Sequence, residues 1–204
     1  TPDPVFAFNY NAGQFVPSEE DVRKRFGLPE KYVLVSLHSQ SLSVAVLDEL
    51  KQKFKAVGTE CVAFPMPSGL KFQHNFDYEI KVPLSPIDWY ALIKYASGYV
   101  GSNMHPIIVS LHNCVPCFSI DHWGTKDFFN RTVRDGSSKV EHIMGLFGLK
   151  NNVRPIDNGI CNVDATEIVK AIETFPCSHV FDIAKEKYNE YVTMMEEIMK
   201  SIKS

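Results

Sequence analysis

Lys31-Tyr32-Val33-Leu34-Val35-Ser36-Leu37 is a short, nearly continuous apolar run, followed at once by the polar turn His38-Ser39-Gln40-Ser41. A strand with one wet face alternates polar and apolar residues, whereas a strand of a parallel sheet is covered on both faces and does not. Past the turn, Val44, Leu47, Leu50, Lys51 and Phe54 recur at helical spacing, Gly58 stops that helix, and a second strand is expected from Cys61 to Met66. The three segments form a β-α-β unit, and that unit sets the expectation for the rest of the chain.

The alternation continues in both directions. Upstream, Ser18 with Glu19, Glu20 and Asp21 starts a helix anchored by Val22, Phe26 and Leu28 and ended by Gly27 and Pro29. Downstream, Pro65-Met66-Pro67-Ser68-Gly69 breaks the pattern, residues 72–77 read as loop, and residues 78–82 as a short strand. Ser85-Pro86-Ile87-Asp88 is a helix start with a serine cap and a proline in the first turn, and Trp89, Leu92, Ile93 and Ala96 supply its buried face. Gly98-Tyr99-Val100-Gly101 reads as a brief strand, 104–113 as a short apolar helix and 115–120 as another strand.

A polar and aromatic loop, 121–136, precedes a capping box of Ser138 and Glu141 over Val140, Ile143, Met144 and Phe147, closed by Gly148. A loop with Pro155, Asp157 and Gly159 leads to a helix begun by Asp164 and Glu167. The last helix, roughly 179–201, carries Ile183, Tyr188, Tyr191, Val192, Met195 and Ile198 on a broad apolar stripe and reads as a packing helix. Strands alternating with helices predict an α/β chain: a Rossmann-like, mostly parallel sheet with helices on both faces. The expected division is a leading segment or linker over 1–17, the Rossmann-like domain over 18–178 and the C-terminal helix over 179–204.

Composition narrows the function classes. The 204 residues are 45% hydrophobic and 22% charged, enough to bury one sizeable core. A formal charge of −3 and no basic stripe argue against nucleic-acid binding. No run of about 18 apolar residues suggests a transmembrane segment. Five cysteines, an odd number (Cys61, Cys114, Cys117, Cys161, Cys177), favour a reducing compartment and hence a cytoplasmic protein. Cys114-Val115-Pro116-Cys117 has thioredoxin spacing, yet it leads into a strand and does not open a helix, so both cysteines read as core. The chain opens Thr1-Pro2-Asp3 without methionine, which points to an excised piece and a missing N-terminal domain.

In such sheets ligands bind where strands end and loops enter the next helix. That rule selects 38–41, 101–106 and 121–139. Gly101-Ser102-Asn103-Met104-His105-Pro106 is the most informative of these, since a strand ends at a small residue and a helix opens directly after it. Free N–H groups at that start attract anions, with Ser102 or Asn103 as the expected cap and His105 beside the anion, able to hydrogen-bond it or move a proton. The plainer alternative is that these side chains only finish a helix end. His112, two turns beyond His105, has no carboxylate or cysteine partners at ligand spacing, so no metal site is expected.

From Ser85 to His122 the chain resembles the polysaccharide pyruvyl transferase family at several points in the same order. The helix from Ser85-Pro86-Ile87-Asp88-Trp89 to Tyr95-Ala96 matches the segment before the family signature, and Gly101-Ser102-Asn103-Met104-His105 matches that signature, commonly Ser-Arg-x-His. Val115-Pro116 with Asp121 matches the strand beyond it, and Ser137-Ser138-Lys139-Val140 with Phe147-Gly148-Leu149 the next family helix. The resemblance implies one half of a two-domain glycosyltransferase-B-type enzyme that transfers pyruvate from phosphoenolpyruvate to two sugar hydroxyls. The product would be a cyclic ketal, made during surface polysaccharide synthesis at the inner face of the membrane, with no cofactor beyond the donor substrate.

On that resemblance His105 is the catalytic residue, while Ser102, Asn103, Ser138 and Lys139 hold the donor anion. By position alone, His38 and Ser39 after the first strand are either further donor contacts or a plain polar turn, and Trp123, in a candidate loop, is the expected sugar contact, ahead of Trp89, Phe128 and Phe129. The partners implied are phosphoenolpyruvate and a glycan acceptor. Asn103 departs from the family arginine, so either another cation compensates, with Lys126, Arg131, Arg134 and, best placed, Lys139 as the candidates, or donor affinity is weak. Two other readings keep the fold. One is the nucleotide-sugar half of a glycosyltransferase, with Asp157 or Asp164 on the ribose; the other is a catalytically silent sugar- or phosphate-binding or docking module.

Overall fold

A computed structural model of the chain describes residues 3–121, 125–126, 132–133, 138–157 and 159–203. In chain order the helices are α1 (Phe8–Ala12), α2 (Glu19–Phe26), α3 (Val44–Ala56), α4 (Pro86–Lys94), α5 (Met104–His112), α6 (Lys139–Leu146), α7 (Ala165–Glu173) and α8 (Cys177–Lys203). The strands are β1 (Tyr32–Ser36), β2 (Glu60–Ala63), β3 (Tyr78–Glu79), β4 (Gly98–Gly101), β5 (Cys117–Asp121), β6 (Thr125–Lys126), β7 (Thr132–Val133), β8 (Val153–Asp157) and β9 (Ile160–Cys161).

Seven of the described strands form one sheet in the order β3-β2-β1-β4-β5-β8-β9. Every pairing from β3 to β8 is parallel, and β9 adds an antiparallel edge. The fold is therefore the expected Rossmann-like α/β sheet. All five residues of β1 are buried because it lies inside the sheet and is packed on both faces. Tyr32 and Leu34 join the core beneath α4, α5 and α8, with Leu92, Ile108 and Val180. Val33 and Val35 join the opposite core with Leu47, Leu50 and Phe54 of α3 and Ile168 and Ile172 of α7. Period-2 side chains thus feed two apolar layers, which removes the polar alternation from the sequence.

The helix starts follow local chemistry. The side-chain oxygens of Ser18, Ser85, Ser138 and Asp164 accept from the backbone N–H groups of Asp21, Asp88, Glu141 and Glu167. Each bond satisfies a donor that the first helical turn leaves open.

Three regions differ from the sequence expectation. The first seventeen residues contain helical turns, and Asp3 accepts from Val5 N–H to start them. Phe6 and Ala7 are buried, Phe6 stacks on Phe147 at 5.9 Å, and Tyr10 stacks on Tyr188 at 3.8 Å. These aromatics pack individually, without a period that a sequence pattern would reveal. Residues 153–161, expected as loop, form β8 and β9. Only Val153 and Ile156 of β8 are buried, and Pro155 stands opposite Asp121 in the β5–β8 pairing but outside the short β8–β9 ladder. Finally, α8 begins at Cys177 and packs through Val180 and Ala184, while Met195, Ile198, Met199 and Ile202 in its last turns are exposed. Among the described residues no helix is long and apolar enough to cross a membrane.

Candidate functional site

Strand order reverses between β1 and β4: β2 and β3 lie to one side, β5 and β8 to the other. At such a switch point the two connections leave in opposite directions and open a crevice at the carboxyl ends of the strands. Here the crevice is a cleft of about 1050 Å³. His38 after β1, Met66, Pro67, Ser68 and Lys71 after β2, Ser102 to Pro106 after β4, Asp121 at the end of β5, and Ser138 and Lys139 at the start of α6 all line it.

Gly101 sets the approach of β4 to β1. It pairs with Ser36, and a Cβ at Gly101 would stand 2.7 Å from the Ser36 backbone oxygen and closer still to the Tyr99 hydroxyl. Only glycine lets the strands close here, and Ser102 N–H then donates to Ser36 oxygen across 3.1 Å. Burial pushes the pKa of the Tyr99 phenol beneath this junction up, so it stays neutral.

The chain then turns into α5. Ser102 is 7% exposed, and its Oγ has no hydrogen-bond partner among the described residues. Asn103 occupies the cap position in extended backbone, but neither it nor Ser102 caps the helix. The Asn103 amide donates to the Met66 sulfur instead, at 2.6 Å. The N–H groups of Met104 and His105 therefore open the helix without intrahelical acceptors. His105 is exposed on the cleft wall, not buried in apolar packing.

The other expected site residues divide. Ser138 is 5% exposed, caps α6 and lines the cleft, and Lys139 is exposed beside it. His38 is exposed and lines the cleft, whereas Ser39 is exposed and does not line it. Trp123, Phe128, Phe129, Arg131 and Arg134 lie outside the described residues; of Lys126 the backbone alone is described, in β6. Asp164 is committed as the cap of α7, and Asp157 is exposed at the end of β8, away from the cleft. Trp89, read from the sequence as core, packs on Phe64 at 4.3 Å yet is half-buried and lines the cleft. With Phe8, Tyr90, Ile93 and Val109 it supplies the apolar part of the cleft lining.

Lys71 and Ser68 were not singled out from the sequence. The signal was present: Pro65 to Gly69 breaks the pattern at the end of a strand, where the strand-end rule applies equally. His112 lies at the far end of α5 from His105, against the rings of Phe6 at 6.4 Å and Tyr10 at 6.2 Å. Burial, assisted by Lys94, lowers its pKa to about 4, so it is a neutral packing imidazole. Burial also pushes the thiols of Cys61, Cys117 and Cys161 up. Among the described residues no three histidines, cysteines or carboxylates gather as metal ligands.

Comparison with solved structures finds distant likenesses. The glycosyltransferase of kitacinnamycin is 17% identical over 78% of this chain and 40% of its own, with a TM-score of 0.47. The glycosyltransferase SnogD from Streptomyces nogalater is 16% identical over 80% and 39%, with a TM-score of 0.45. UDP-GlcNAc 2-epimerase from Methanocaldococcus jannaschii is 13% identical over 94% and 54%, with a TM-score of 0.48. The chain thus spans about half the length of these proteins or less. No curated protein matches the sequence. The profile described as polysaccharide pyruvyl transferase matches residues 1–124, which includes the Ser85 to His122 stretch and stops short of 137–149. That match runs through all of β1 to β5 and the loops after β1, β2 and β4 that line the cleft, though not Ser138 and Lys139, and on it the chain belongs to the polysaccharide pyruvyl transferase family.

Proposed function

We propose that the cleft binds phosphoenolpyruvate and that the chain is the donor-binding half of an enzyme that moves its pyruvyl group onto two hydroxyls of a glycan as a cyclic ketal. One observation carries the reading: a buried, unpartnered Ser102 hydroxyl, an uncapped helix start, two lysines and an exposed imidazole converge at the switch point of the sheet. The Ser102 Oγ and the first N–H groups of α5 receive the phosphate, where the helix dipole favours negative charge. Lys71 and Lys139 supply the cationic charge that Asn103 lacks. Ser138 supports Lys139 from the cap of α6, and His38 extends the polar wall.

The chemistry needs one proton delivered to the methylene carbon of the donor and two removed from the attacking hydroxyls. The first hydroxyl adds to the central carbon as the methylene is protonated; phosphate then leaves with its bridging oxygen, and the second hydroxyl closes the ketal. Of the two hydroxyl protons, one balances the new methyl group and one the departing phosphate. His105, exposed beside the anion pocket, is the proton carrier, because an imidazole exchanges protons near neutral pH. The half-buried Trp89 offers the acceptor ring an apolar face, and the cytoplasm is the compartment proposed.

Calorimetry of the chain with phosphoenolpyruvate and with nucleotide sugars tests the reading. Phosphoenolpyruvate heat that inorganic phosphate competes away is expected. Binding of a nucleotide sugar alone favours the glycosyltransferase reading, and silence toward both ligands in the presence of the partner domain leaves a docking module.

A further inference from the structure

Cys114 and Cys177 are 63 residues apart in sequence and adjacent in space: the Sγ of Cys177 lies 3.6 Å from the backbone oxygen of Cys114. Cys177 is exposed at the first residue of α8, and Cys114 is half-buried just past the last turn of α5. Cys61, Cys117 and Cys161 are buried. The CxxC spacing of Cys114 and Cys117 is therefore misleading, since Cys117 points into the core from β5 while Cys114 meets the end of a distant helix.

The backbone supplies a second observation. Cys114 has φ 56°, the one positive φ among the described non-glycine residues. Its N–H donates to Leu111 oxygen and the next N–H to Ser110 oxygen, the pattern of a helix ended by a left-handed residue. Glycine is the relaxed choice at that position, so a cysteine there is held at a conformational cost. Disulfides join residues whose Cα atoms lie roughly 4.4–6.8 Å apart, and a sulfur resting against the other residue's backbone suits that reach.

We infer that Cys114 and Cys177 form a reversible disulfide that staples the end of α5 to the start of α8, with a small-molecule disulfide such as oxidised glutathione as the oxidant. The exposed Cys177 acts first: it loses its proton to solvent, its thiolate attacks one sulfur of the external disulfide, and one glutathione thiolate leaves. Cys114 then loses its proton and attacks the Cys177 sulfur of the mixed disulfide, releasing the second glutathione. Two electrons pass from the protein pair to the external disulfide, and the two protons end on the two glutathione thiols. This order fits the burial of Cys114, whose thiol pKa is held up by desolvation and by the neighbouring Cys177. Reversibility fits a chain kept among reducing thiols.

The test equilibrates the full chain in glutathione buffers of graded redox ratio, counts free thiols, and maps cross-links by non-reducing peptide mass spectrometry. The expected result is a fall from five free thiols to three, a single Cys114–Cys177 cross-linked peptide and its loss in dithiothreitol. Closing so long a loop should raise the Tm of the oxidised form by roughly 5–10 °C. Cys114→Gly suits the local backbone and keeps the fold; in it Cys177 should take up one glutathione and retain it. Five thiols that stay free, stable adducts on both cysteines without a cross-link, or a Cys114–Cys117 bond would each overturn the inference.

Discussion

The side-chain amide of Asn103 donates to the sulfur of Met66 across 2.6 Å, tying the opening of α5 to the loop after β2, and no side chain caps that helix start. A neutral residue thus stands where the family commonly carries arginine. Asn103→Arg should place a permanent, forked cation on the cleft and tighten phosphoenolpyruvate binding about tenfold, equivalent to ~1.4 kcal/mol. Calorimetry checks it; an unchanged Kd would mean that the lysines already saturate the anion.

Lys71 and Lys139 are exposed, so their contribution is moderate and screened by salt. Lys71→Met and Lys139→Met should each weaken phosphoenolpyruvate binding on the order of threefold at low ionic strength, with the difference shrinking as salt is added. A loss confined to one variant would assign the donor phosphate to that side of the cleft.

His105→Ala should lower ketal formation by about 10²-fold or more, followed as phosphate release, because a proton-transfer group is lost. The side chain is exposed, so the Tm should move by less than about 1 °C. Full activity in this variant would remove the imidazole from the mechanism.

Gly101→Ala drives a methyl group against the Ser36 backbone oxygen and the Tyr99 hydroxyl. Backbone cannot swing aside as a side chain can, so a loss of about 3 kcal/mol is expected, read as a lower denaturation midpoint. Adding Tyr99→Phe removes one clash and leaves the other, so the double variant should recover only part of the loss.

His112 ties stability to pH. Its folded pKa, lowered to about 4 from the ordinary 6.5, means that the unfolded chain binds more protons between those values. Stability therefore falls as pH drops from 6.5 toward 4. Full burial of the shift would give about 3 kcal/mol, and discounting for partial exposure leaves about 2. His112→Leu should flatten the Tm profile over that window; an unchanged slope would place the acid sensitivity elsewhere.

Much of this molecule is written in local chemistry. The capping side chains of Ser18, Ser85, Ser138 and Asp164 act on N–H groups three residues away, so their helix starts are legible without any knowledge of what packs around them. The unbroken apolar run of β1 announces burial on both faces. β8 is hidden because its period is masked by Pro155 and only two of its side chains are buried. The buried turns around Phe6 are hidden because their order comes from rings on α8 and beside α6.

The candidate site divides the same way. Ser102, His105 and Lys139 stand out in sequence because each lies where a helix opens near the end of a strand. The amino-acid sequence by itself determined that alternation, the side-chain-capped starts of α2, α4, α6 and α7 and the glycine that ends β4. Tertiary structure alone decided that β4 lies beside β1, that the Asn103 amide reaches Met66, that Lys71 and Lys139 line the same cleft, and that Cys114 meets Cys177 and not Cys117. The reason is reach: a cap or a period is settled within a few residues, whereas neighbours across a sheet are chosen by the burial of two whole apolar layers at once.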